Sequence, residues 1–120
     1  MENYPEKLTA TKSSYPFIRW RNSGLEQYTE KACASFATVF DQLIERLATL
    51  GENASEESKL VCFKQAVEAL NALNEIDESL IETGEREDLC KLCNIVAVAA
   101  GLDPAKYGDG EGPATEWRDW

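Results

Sequence analysis

Histidine is absent from this sequence of 120 residues. Its absence removes the commonest general base and the commonest metal ligand together. Ser–His–Asp and Cys–His nucleophile systems, the HExxH motif and Cys/His zinc fingers are all excluded. Long apolar runs are missing too. The best, Ile95 to Ala100, falls well short of the roughly eighteen residues that a membrane span requires, so no membrane association is expected. The opening stretch MENYPEKLTATKSSYPF lacks the basic-then-apolar pattern of a secretion signal, and the chain reads as cytoplasmic. Basic residues are scarce, 12 against 22 acids, for a net charge of −10. Four of the basic residues (Lys7, Lys12, Arg19 and Arg21) fall within the first 24 positions, so the rest of the chain is more acidic still. A surface of this kind repels phosphate backbones and excludes direct nucleic-acid binding, while it attracts basic proteins.

What is present is helical periodicity. At 43% apolar and 28% charged, a chain of this length has the composition of one globular domain with a real core. Leu25, Tyr28, Ala32, Phe36, Phe40, Leu43, Leu47 and Leu50 recur at intervals of three and four, predicting a helix over 24–51 capped by Asn22 or Ser23 and stopped by Gly51. Leu60, Phe63, Val67, Leu70 and Leu73 predict a second helix over 55–76, folded back on the first across the GENAS turn. Leu89, Leu92, Val96 and Ala99 predict a third over 84–101, with Thr83 as its N-cap and Leu80 and Ile81 stapling the chain onto the core. Pro5 and Pro16 mark residues 1–23 as an irregular arm whose Tyr15, Phe17, Ile18 and Trp20 pack on the bundle. Residues 102–114 read as a loop, and 115–120 as a short helical turn capped by Thr115. The expected fold is therefore all-α: a small single-domain bundle of three main helices, with an aromatic N-terminal arm and a short C-terminal turn.

Four cysteines raise the question of metal or redox chemistry. Cys33 and Cys62 stand alone in mid-helix, and Cys90 and Cys93 lie one turn apart on a core-facing helix. Zinc-binding pairs sit in turns, and no βαβ pattern accompanies this CxxC, so packed, reduced thiols are expected and no cofactor or metal. The acids fall in surface runs and at helix starts rather than as an isolated pair. GDGEG shares only its glycine content with phosphate-binding loops. No complete catalytic motif is present, and no enzymatic activity is expected.

The C-terminal EWRDW carries residue types enriched at binding hot spots. Burying one indole removes about 200 Å² from water, which predicts that Trp117 or Trp120 clasps the C-terminal segment onto the bundle. LIETGEREDLC followed by TEWRDW resembles a motif of small bacterial proteins, some of which are similar to immunity proteins of toxin systems. The resemblance spans residues 80–120 and leaves the aromatic arm outside it. It implies a protein that neutralises a cognate toxin by tight binding, without chemistry of its own. The leading expectation is thus an acidic, non-enzymatic inhibitor or immunity protein covering a basic site on a protein partner. Glu82, Glu85, Glu87, Asp88, Glu116 and Asp119 are its candidate electrostatic contacts, and Trp117 and Trp120 its anchors. The alternatives are a helical homodimer formed through exposed Phe36 and Phe40, and a metal or redox protein that uses the cysteines.

Overall fold

The computed structural model describes residues 3–24, 26–76 and 80–120, and the chain is all-α, with no strand among those residues. Among those residues five α-helices run in the order α1 (Tyr4–Ala10), α2 (Phe17–Arg21), α3 (Glu30–Leu50), α4 (Glu56–Ile76) and α5 (Thr83–Ala99). Short 3₁₀ turns occupy Thr11–Ser14, Pro104–Lys106, Gly108–Gly110 and Pro113–Glu116. Among the described residues, no helix is long and apolar enough to cross a membrane.

The two longest helices follow the apolar period closely. α3 buries Cys33, Phe36, Val39, Phe40, Leu43, Ile44 and Leu47, and α4 buries Cys62, Phe63, Ala66, Val67 and Leu70 against them. Ser55 begins α4 by accepting a hydrogen bond from the Ser58 N–H at 3.1 Å. α3 starts later than the period suggests. Its cap is Thr29, whose hydroxyl accepts from the Ala32 N–H at 3.1 Å, not Asn22 or Ser23. The chain between is diverted because Asn22 already closes α2 and Gly24 follows at φ +84°. Leu25, assigned to this helix from its spacing, lies outside the described residues.

The N-terminal region departs furthest from expectation, because it is helical rather than irregular. Asn3 accepts from the Glu6 N–H at 3.0 Å while Glu6 accepts from the Asn3 N–H at 3.3 Å, a reciprocal capping box that opens α1. Pro5 sits in the first turn, where a missing N–H costs no intrahelical bond. α2 then lays its aromatics on α3. Phe17 stacks on Phe36 with ring centroids 6.0 Å apart, and Trp20 meets Phe36 edge-on at 5.3 Å. The expected packing of these aromatics is present, on a short helix in place of an extended arm.

Lys59 of α4 is a buried cation among these apolar contacts, only 5% exposed. Its ammonium donates to the Glu52 carbonyl at 2.7 Å and to the Ala100 carbonyl at 2.8 Å, with the Tyr4 ring 5.4 Å away. One side chain thereby ties the α3–α4 turn, the end of α5 and α1.

α5 spans 83–99 rather than 84–101. Thr83 is its first helical residue rather than its cap, and Glu82 at the cap position makes no side-chain capping bond. Leu80 and Ile81 are buried just before it, as a staple requires. Beyond Gly101 the predicted 102–114 loop contains two of the 3₁₀ turns. The last turn starts at Pro113 rather than at Thr115 and ends at Glu116. It stops there for a physical reason: the Asn71 amide of α4 donates to the Trp117 carbonyl and accepts from the Asp119 N–H, both at 3.0 Å. The side chain thus takes backbone groups that a continuing helix would pair internally.

Candidate functional site

The C-terminal segment is held against α4 and α5 by side chains gripping backbone. Besides the Asn71 clamp, Asn94 of α5 donates to the Glu111 carbonyl at 3.1 Å, and Glu116 accepts from the Gly108 N–H at 2.8 Å. Both terminal tryptophans are half-buried against the core. Arg118 lies over the Trp120 ring, 5.7 Å from its centroid, and donates to the Trp120 carbonyl at 2.6 Å. Trp117 and Trp120 therefore act as the expected clasp, although they do so on irregular backbone rather than on one face of a helical turn.

This anchoring sets the segment beside the first turns of α5, where the two together enclose a cleft of about 260 Å³. Glu87 from α5 and Glu111 from the segment line it. The six acids named as candidate electrostatic contacts divide into different roles. Glu82, Glu87 and Asp119 are exposed. Glu85 is half-buried beside Tyr28; burial first, and then that carboxylate, push the phenol well above its ordinary range. Glu116 is exposed but spends one oxygen on the Gly108 bond.

Asp88 has an internal role. One of its oxygens accepts both from the Arg19 guanidinium at 2.7 Å and from the Trp20 indole N–H at 2.9 Å. It therefore docks α2 onto α5 across more than sixty intervening residues. Replacing it removes a charge-assisted bond and leaves the largely buried indole without its acceptor. Asp88→Ala is expected to cost about 2–3 kcal/mol by chemical denaturation. A cost below about 0.5 kcal/mol, the level of an ordinary surface change, is the result that discounts the link.

Two arginines in this region escaped the sequence reading. Arg86 and Arg118 line the same cleft as Glu87 and Glu111. Each lies inside one of the two acidic motifs, EREDLC and EWRDW, and that shared pattern was the available signal. The cleft also contains Cys90, the one cysteine of the four that is not fully buried. Burial raises its thiol, Arg118 and Arg86 pull it back, and Glu111 pushes it further up. Cys33, Cys62 and Cys93 are likewise raised by burial, so all four are disfavoured as thiolates at neutral pH. Among the described residues, no three of the His, Cys, Asp or Glu side chains converge as a metal site.

Comparison of the chain with protein-family models, with curated proteins and with solved structures found no match in any of the three. Function must be read from this arrangement of side chains.

A face proposed from the sequence for self-association is absent. Phe36 and Phe40 are fully buried beneath α2, because the aromatics of that helix occupy the α3 surface that the periodicity left open. A separate groove of about 700 Å³ runs between α3 and α4 on another part of the surface, where Leu50 and Val61 are exposed.

Proposed function

We propose that this chain is a non-enzymatic protein-binding module, an inhibitor or immunity protein of bacterial, cytoplasmic type that covers a basic site on a toxin. The observation that carries this reading is a set of exposed acids on two backbone segments that meet at one cleft, which Glu87 and Glu111 line. Glu82 sits at the cap position of α5 and Glu87 within its first turns, with Glu111 and Asp119 on the segment gripped by Asn94 and Asn71. Holding the backbone in this way leaves only side-chain rotamers to order on association, which favours a specific partner over diffuse attraction. The chain's net charge of −10 adds long-range steering of a basic protein. Trp117 and Trp120, each partly exposed, supply apolar area at the edge of the same surface. Asp88 and Glu116 belong to the scaffold of this surface rather than to its contacts.

The test is a charge reversal at exposed positions whose side chains carry no internal bond among the described residues. Glu82→Lys, Glu87→Lys and Asp119→Lys are combined in one chain, and basic proteins retained from the native lysate are identified for both forms. A discrete basic partner is expected with the native chain, with association slowed about tenfold or more by the triple reversal. The same interaction should weaken steeply as salt rises from about 0.1 M to about 1 M. Retention of the same partner by the reversed chain, or at high salt, rules this reading out.

A further inference from the structure

The cleft beside α5 is lined by two cations, Arg86 and Arg118, as well as by the two acids Glu87 and Glu111. Neither Arg86 nor Arg118 makes an ion pair within 4.0 Å among the described residues. The Nε of each is shut off from solvent with no hydrogen-bond acceptor, although both side chains are only partly buried overall. A donor in that condition is costly, and among the described residues neither finds an acceptor, so the fold leaves donor capacity of both guanidinium groups unspent beside the cleft.

We propose that the cleft binds a small tetrahedral oxyanion, of which inorganic phosphate is the simplest, between Arg86 and Arg118. A guanidinium presents a planar fork of donors that matches such an anion two oxygens at a time. Thr83 and Thr115, each with a hydroxyl group, belong to the same lining. At about 260 Å³ the space lies below the roughly 300–1,000 Å³ of sites for drug-sized ligands, which limits the occupant to a small group. Arg118 is already positioned by its bond to the Trp120 carbonyl and by the indole beneath it, so binding freezes little of its freedom. Glu87 and Glu111 also line the cleft and oppose the anion, holding its affinity below what two arginines alone would give. The site shares its cleft, with Glu87 and Glu111, with the proposed protein-binding surface but does not rest on that reading, and its test involves no protein partner.

The full chain is titrated with sodium phosphate at fixed ionic strength, chloride making up the balance. Two readouts are followed: the thermal midpoint, and the rate at which a small alkylating reagent modifies Cys90 in the cleft. A saturable rise in the midpoint and saturable protection of Cys90 are expected, with sulfate acting similarly and chloride not at all. Arg86→Gln should weaken the apparent phosphate affinity at least tenfold, and Arg86→Lys, which keeps the charge but loses the fork, several-fold. The Arg86 side chain makes no hydrogen bond or ion pair among the described residues, so these variants should melt like the native chain in chloride alone. Arg118→Gln should weaken binding comparably, and if it also loosens the Trp120 contact, the Arg86 variants decide. The proposal is overturned if neither readout saturates, if chloride does as well as phosphate, or if Arg86→Gln titrates like the native chain.

Discussion

Gly112→Ala is expected to lower stability by about 3 kcal/mol, or roughly 10 °C in the thermal midpoint, through two separable effects. The first is conformational. Gly112 has φ +119° and ψ 171°, a region that residues with a Cβ essentially do not enter. The second is steric, since a Cβ there would stand 1.9 Å from Asn94 Oδ1 and 2.8 Å from its Cγ. Asn94 would have to turn away and give up its bond to the Glu111 carbonyl, itself worth about 1 kcal/mol. A double-mutant cycle with Asn94→Ala divides the loss: the steric part should vanish in the double variant while the conformational part stays. Tryptophan fluorescence should also shift, because Trp117 and Trp120 are seated by the segment that Gly112 begins. An alanine variant with the native midpoint and unaltered fluorescence contradicts the close approach.

Lys59→Met should be nearly as damaging, at about 3 kcal/mol, even though methionine suits a buried site in α4. The substitution keeps most of the aliphatic stem and removes the ammonium, leaving the Glu52 and Ala100 carbonyls without their donor. Hydrogen bonds from a charged donor are worth about 1.5–3 kcal/mol each, and the better apolar transfer of methionine recovers part of the loss. Ala100 closes α5, so the ammonium also faces the negative end of that helix. Hydrogen exchange should show the effect in two places distant in sequence: the last turn of α5 and the Gly51–Ser55 connection. If Lys59→Met proves neutral, or loosens only its own helix, Lys59 is not the tie described above.

Both sites show where the sequence stops being readable. α3 and α4 were legible because one-sided apolar spacing repeats over many turns and is averaged over many residues. The same logic found Leu80 and Ile81 ahead of α5. The signal for α1 was equally present, as Asn3 and Glu6 in capping-box spacing, but Pro5 between them was weighed as a breaker rather than as a first-turn residue. Lys59 had no such signal, since a lysine between Ser58 and Leu60 looks like any solvated position on a helix. Asn71 and Asn94 act on backbone 46 and 17 residues away, distances at which local pattern carries no information. At the candidate site, the acids were visible as charge, but the division between exposed acids and those holding the fold depends on Trp20, Arg19 and Gly108, which approach only in three dimensions. Arg86 and Arg118 were outweighed by the acids around them.

The bond between Trp20 and Asp88 also dictates an order of assembly as the chain leaves the ribosome. The aromatic pair Phe17 and Trp20 has its platform, Phe36 and Phe40, soon after it emerges, and α4 completes the adjoining core later. The indole N–H must nevertheless wait until residue 88 is made before it gains its acceptor. Until then the early half lacks this fastening, and its aromatic surface is where capture by chaperones is expected. Translation of the last third closes that window, so a pause before α5 should prolong the period in which the nascent chain is vulnerable.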